Sequence, residues 1–206
     1  AGHTPYESTY YVRDAQGNVI AVYRTQPAPL GVGLSQLKMS EQHLYGSKRL
    51  GIMNRDIDMS FDPPALNPLD LNRTLGLKQF ELDNHLGNVL VTVSDRKTAV
   101  ANGANVDHYI ADVTSANDYY AFGMLMPNRN FSSPSYRYGF NGKEKDDEKS
   151  GLTGADVDYG ARIYDTRLAK FLSVDPVTKK YAYLSAYQFA SNSPIMGIDK
   201  DGQELK

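Results

Sequence analysis

No cysteine occurs among the 206 residues, which excludes disulfides and thiolate metal sites. Tryptophan is also absent, and no apolar run approaches the roughly 20 residues of a membrane-spanning helix, so no membrane insertion is expected. Neither sign of charge dominates: 22 basic residues face 24 acidic ones for a net charge of −2. Without a basic excess, nothing drives binding to nucleic acid or to an anionic membrane surface. The four histidines, His3, His43, His85 and His108, show no metal-ligand spacing, and no metal is expected. Glycine-rich phosphate loops are missing, so no nucleotide cofactor is expected either. The opening "AGHTPYESTYY" lacks the basic-then-apolar pattern of a signal peptide.

Fifteen tyrosines and 17 glycines are what the chain has in abundance. Tyrosine suits a half-buried pleated surface with a wet edge, and glycine supplies tight turns, so the composition reads as all-β. Residues 10–23, "YYVRDAQGNVIAVY", form a hairpin candidate, with strands at Tyr10 to Arg13 and Val19 to Tyr23. Gly17 supplies the left-handed position of a three-residue loop with a bulge. The pattern returns in "FELDNHLGNVLVTV" (80–93): Asp14 to Val19 and Asn84 to Val89 share [DN]-x-x-G-N-V. A hairpin around each copy indicates a repeated unit in which Gly17 and Gly87 hold equivalent positions.

Residues 35–53 suggest two strands around Gly46, and 98–118 another hairpin. "DYYAFGMLMP" (118–127) reads as one strand with a glycine kink, and the proline-rich stretch 54–76 as a loop excursion. A looser stretch, "NRNFSSPS", divides the chain near residue 135 into a hairpin ribbon, 1–134, and a C-terminal segment, 135–206. The mixed charges of Lys143 to Lys149 read as a solvated loop. "VDYGARIYD" resumes β structure, and 179–194 is either a short helix or a turn, ended by Pro194.

Two stretches carry the candidate chemistry. "YDTRLAKFLSVDP" (164–176) ends on an Asp-Pro step, and "SNSPIMGIDKDG" (191–202) ends on Asp-Lys-Asp-Gly. Taken alone, both are ordinary turn chemistry. Together with "YRYGFNGKEKDDE" (136–148), "DYGARIYDTRLAKFLSVDP" (158–176), "AYQFASNSPIMGIDKDG" (186–202) and the upstream "RDAQGNV" and "LDNHLGNV", they resemble the Rhs/YD-repeat family and its RHS repeat-associated core domain.

That resemblance implies an antiparallel hairpin ribbon of YD-repeat type, wound into a shell and curling into a C-terminal core plug with irregular and short helical segments. It implies a bacterial protein, secreted or at the cell surface, whose partners are its own upstream repeats and an enclosed C-terminal effector, often a toxin. Relatives release that segment by aspartic autoproteolysis, using two aspartates as a pair. The first falls here on Asp175 of "SVDP" and the second on Asp199 of "IDKDG", with the bond after Gln203 in the scissile position and Asp201 at a variable one. Two carboxylates held close cannot both ionise, so one keeps a proton and the other serves as base. Arg162, Arg167 or Lys170 is the cation expected to tune the pair. The chain departs from the family pattern at Ala169-Lys170 (Gly-Arg), at Asn192-Ser193 (an asparagine pair), at Lys200 (proline) and at Gln203 (a large apolar residue). Asp165 of "YD" is expected to cap a turn.

The same ribbon also occurs in non-catalytic surface and adhesion proteins, which is the alternative reading. A free-standing carbohydrate-active β protein, with its acids acting on a glycosidic bond, is a third. Exposed ribbon edges are expected to pair with upstream repeats or edge to edge with a second copy.

Overall fold

The computed structural model describes residues 7–26, 36–59, 74–132, 136–147 and 151–203. The structure is all-β, and the described residues form twelve strands and a few single 3-10 turns. Among the described residues no helix is long and apolar enough to cross a membrane. Strands β1 (Thr9–Arg13), β2 (Val19–Gln26), β3 (Gln36–Tyr45), β4 (Arg49–Asp58), β5 (Lys78–Asp83), β6 (Val89–Asn102), β7 (Asn105–Tyr119) and β8 (Leu125–Ser132) neighbour one another in sequence order. A second sheet orders β12 (Lys170–Phe171), β11 (Ile163–Asp165), β10 (Asp156–Asp158) and β9 (Glu144–Lys145). The chain falls into two compact units, Ala1–Phe80 with Val93–Asp112 and Glu81–Thr92 with Val113–Lys206.

In the first unit β1 and β2 form the expected hairpin, paired from Thr9↔Arg24 to Val12↔Ala21, with a bulge before Arg13↔Val19. The turn explains its own sequence. Gly17 lies at φ +87°, its N–H donates to the Asp14 carbonyl at 3.0 Å, and Asp14 N–H donates to the Asn18 carbonyl at 2.9 Å. The Asp14 carboxylate also accepts from the N–H groups of Gln16 (2.9 Å) and Asn18 (2.8 Å), which is why an acidic or amide side chain opens the motif. These bonds hold the Asp14 carboxyl below its ordinary pKa, with the Asn18 side chain the largest contributor. β3 and β4 pair around Gly46, as expected. The loop expected over 54–76 begins later than the sequence suggests, because Asn54 to Asp58 complete β4. The rest of that loop falls partly on 60–73, outside the described residues.

The second unit holds the other copy of the motif in equivalent geometry. Gly87 lies at φ +75°, its N–H donates to the Asn84 carbonyl at 3.0 Å, and the Asn84 amide oxygen accepts from Leu86 (3.0 Å) and Asn88 (3.1 Å). Two further turns repeat the backbone pattern without the motif. Gly123 (φ +90°) donates to Tyr120, which donates to Met124; Gly142 (φ +67°) donates to Gly139, which donates to Lys143. The first of these corrects the reading of 118–127 as a kinked strand: it is a hairpin turn joining β7 to β8. Both strand ends carry strand-forming residues, so only the left-handed glycine betrays the reversal.

β9 to β12 are two or three residues long, too short to be stable on hydrogen bonds alone. An aromatic cluster supports them. Phe140, Tyr159, Tyr164, Phe171 and Phe189 are all buried, with Tyr164 and Phe189 stacked at 4.3 Å between ring centroids and Tyr159 edge-on to Phe171 at 5.6 Å. Each such pair contributes about 0.5–1.5 kcal/mol beyond the area it buries. The buried hydroxyls are partnered: Tyr164 donates to the Phe122 carbonyl at 2.9 Å, and Tyr159 to the Asn141 amide oxygen at 2.6 Å. Burial raises the pKa of both phenols.

The stretch 179–194 is turn rather than helix, with single 3-10 turns at Thr178–Tyr181 and Ala190–Asn192. The second is left-handed: Ala190, Ser191 and Asn192 have φ of +46°, +51° and +58°. That conformation costs roughly 1 kcal/mol or more per residue, and burial of Phe189 and Ala190 in the aromatic core offsets it. Ala169, between β11 and β12, is also left-handed at φ +56°. Ala169→Gly is therefore expected to stabilise the chain by about 1 kcal/mol. Urea unfolding checks it, and a destabilised Gly variant would contradict the strain argument.

Candidate active site

The segment after β12 carries Asp175 out of the second sheet. Asp175 N–H donates to the Ala186 carbonyl at 2.9 Å, and the carboxylate accepts from Val177 N–H at 2.8 Å across the intervening proline. This is the expected Asp-Pro turn, yet its carboxylate is buried. Asp199 is buried more deeply still, at 1% exposure. One of its oxygens, Oδ1, accepts the N–H groups of Gly202 (2.7 Å), Gln203 (3.0 Å) and Asp201 (3.3 Å). Gly202, at φ +81°, lets the tail curl around that oxygen; a Cβ there would stand 3.1 Å from Tyr159 Cβ and 3.2 Å from Arg162 N.

Arg162, between β10 and β11, joins the two acids. Its Nη2 lies 3.1 Å from Asp175 Oδ2 and 3.8 Å from Asp199 Oδ2, so the carboxylates are within about 7 Å of each other. The approach to Asp175 is the closer one, and that to Asp199 is a longer charge contact. Its other nitrogens are engaged: Nε donates to the Gly202 carbonyl, and Nη1 to the Ala186 carbonyl at 3.3 Å. The guanidinium lies 3.7 Å over the Phe171 ring, a cation–π contact in a desolvated setting. Of the three cations considered from the sequence, Arg162 reaches the pair. Arg167 instead pairs with Asp165 at 2.8 Å, and Lys170 is exposed on β12.

The two acids differ in environment. Burial raises the Asp199 pKa above its ordinary value, against the opposing effect of the three amides and Arg162. Asp199 Oδ2 is buried with no hydrogen-bond partner among the described residues. A buried oxygen that accepts no hydrogen bond is costly as an anion and far less so as a protonated carboxyl. Asp165 contrasts with it: burial pushes it up, but bonds from Arg167 and the Arg167 and Leu168 amides outweigh this and its pKa is lowered. Asp165 is thus the turn cap expected of the "YD" dipeptide.

The three peptides from Lys200 to Gln203 are each held on both sides. Lys143 Nζ donates to the Lys200 carbonyl, Ala161 N–H to the Asp201 carbonyl at 3.2 Å, and Arg162 to the Gly202 carbonyl. Lys143 and Ala161 did not stand out in the sequence. A lysine in a mixed-charge run and an alanine acting through its backbone leave no local signal.

No family model matches the chain. Among curated proteins it is similar to Salivary gland surface protein 1 of Aedes aegypti, 28% identical over 197 residues. That alignment covers 94% of this chain and 4% of the mosquito protein. Among solved structures it is similar to TcdB2-TccC3-Cdc42, at 16% identity and a TM-score of 0.49, over 95% of this chain and 9% of that one. TcdB2-TccC3 without its hypervariable C-terminal region gives 17% identity and a TM-score of 0.48, again over 9% of that chain. The chain therefore spans a small fraction of the proteins it is similar to.

Proposed function

We propose that this chain is the terminal hairpin ribbon and core of a secreted or cell-surface Rhs/YD-repeat shell, and that its core cuts the chain after Gln203 to free a C-terminal effector segment. The observation that carries the reading is the meeting of Asp175 and Asp199, with 23 residues between them in sequence, on the buried guanidinium of Arg162. A structural Asp-Pro cap and a tail turn have no need to share a cation.

In this reading Asp199, raised by burial, holds the proton, and Asp175 is the base. Asp175 takes a proton from water, whose oxygen bonds to the Gln203 carbonyl carbon while Asp199 protonates the carbonyl oxygen. The C–N bond to Glu204 then breaks, the nitrogen leaves as an amine with a proton returned from Asp175, and Gln203 ends as a carboxyl group. Asp199 recovers its proton as the carbonyl reforms. Release should fall as pH rises through the raised pKa of Asp199, because the ionised form has no proton to donate.

The test is a tagged extension beyond Lys206 in four versions. Release is expected from the parent and from Asp201→Asn, and a loss of about 100-fold or more from Asp175→Asn and from Asp199→Asn. Equal release from all four would end the dyad reading. A folded parent that releases nothing favours the second reading, a non-catalytic surface module, which the similarity to a curated surface protein supports.

Whichever reading holds, upstream repeats are the proposed partner of β1. All five of its residues are exposed, and β2 is its one strand neighbour among the described residues. An open edge of this kind pairs with further strands. The chain is expected to self-associate edge to edge when no upstream repeats are present. Sedimentation showing a monomer at all concentrations would contradict this.

A further inference from the structure

We propose that Lys143 is a positioning residue that sets the register of the 199–203 tail against the acidic pair; its effect on cleavage rests on the autoproteolytic reading, its effect on the tail does not. The tail hangs on four elements. Asp199 Oδ1 gathers the amides of residues 201–203, while three donors from other parts of the second unit take the carbonyls of 200, 201 and 202 in turn. Two of those donors, Ala161 N–H and Arg162, come from a single turn beside the acids. Lys143 is the third, and it alone comes from a different loop.

That loop is built to hold the ammonium in place. Lys143 closes the turn opened by Gly139, whose N–H donates to the Lys143 carbonyl at 2.9 Å. Asn141 in the same turn is locked to the "HLGN" hairpin turn: its N–H donates to Asn88 Oδ1 at 2.9 Å and its Nδ2 to the Leu86 carbonyl at 2.9 Å. The Asn141 oxygen accepts from the buried Tyr159 hydroxyl. The Lys143 Nζ then lies 5.2 Å from the centroid of that same Tyr159 ring and reaches the Lys200 carbonyl. A ring face and a carbonyl oxygen both attract the cation, so its position is fixed from two sides. With a donor at each of three successive carbonyls and Asp199 Oδ1 on the three amides, loss of one donor frees the tail to shift. The register decides which peptide bond faces Asp175 and Asp199, and misplacement by about 1 Å costs up to about 100-fold in rate.

The experiment uses the full chain with its tagged extension and reads two quantities, release of the tag and amide exchange of the peptide spanning 199–203. Lys143→Met is expected to slow release by about 10- to 100-fold and to speed exchange of that peptide by about tenfold, with Lys143→Arg restoring both because it keeps the charge and the reach. If the parent releases nothing, the autoproteolytic reading fails, and the exchange comparison alone decides the role of Lys143. Should the Met variant not fold, Lys143→Gln takes its place, keeping a donor without the charge or the reach. Unchanged exchange in the Met or Gln variant, or no restoration by Arg, overturns the proposal.

Discussion

Arg162→Met is expected to destabilise the second unit by about 3–5 kcal/mol at neutral pH. Methionine retains an apolar cover over Phe171 but leaves Asp175 and Asp199 buried without their shared cation. It also strips donors from the carbonyls of Gly202 and Ala186. The size of the loss depends on pH in a determined direction. Burial already raises the Asp199 pKa, and Arg162 is among the groups that hold it down. Removing the arginine raises it further, so the folded state binds a proton more readily than the unfolded state. Stability missing at neutral pH is then regained as pH falls through that raised pKa toward the ordinary carboxyl value. Urea unfolding at neutral and mildly acidic pH reads both effects. A loss below about 1 kcal/mol, or one that ignores pH, would show that the guanidinium is a bystander.

Gly123→Ala is expected to cost about 2–4 kcal/mol, against about 1 kcal/mol for Gly17→Ala. The two glycines have nearly the same backbone, φ +90° and +87°, in turns with the same pair of hydrogen bonds. They differ in what a methyl group would meet. At Gly17 nothing lies within 4 Å, whereas at Gly123 the Phe140 ring stands 2.5–2.8 Å away. Phe140 cannot yield, because it packs against Tyr119, Tyr164 and Phe189. Subtracting one loss from the other separates packing from backbone strain. Equal losses would mean the aromatic cluster is looser than its ring distances imply.

The hairpins were legible in the sequence where the turn carried its own side-chain cap. Asp14 and Asn84 each accept two backbone N–H groups, so the motif [DN]-x-x-G-N-V records the hydrogen bonds that select it. The turns at Tyr120–Met124 and Gly139–Lys143 share the backbone geometry without that cap, and the first was hidden inside a run of strand formers. The aromatic core was harder to read. Strands of two or three residues show no alternation, and exposed tyrosines such as Tyr10, Tyr109 and Tyr183 are compositionally the same as buried Tyr159 and Tyr164. For the site, resemblance singled out Asp175 and Asp199, and spacing alone would have left both as turn residues. Arg162 was one of three cations open to the sequence, because the choice rests on which side chain is buried against Phe171. The tail contacts of Lys143 and Ala161 depend on a fold-back across 177–198 that no local pattern encodes.

The acids that meet on Arg162 are proposed to act on the chain that carries them. Intact-mass measurement of the chain with an extension beyond Lys206 tests this most directly. Two products are expected, one ending at Gln203 and one beginning at Glu204, with neither formed by Asp175→Asn. A single uncut mass from a folded chain, or cutting that survives Asp175→Asn, would contradict it.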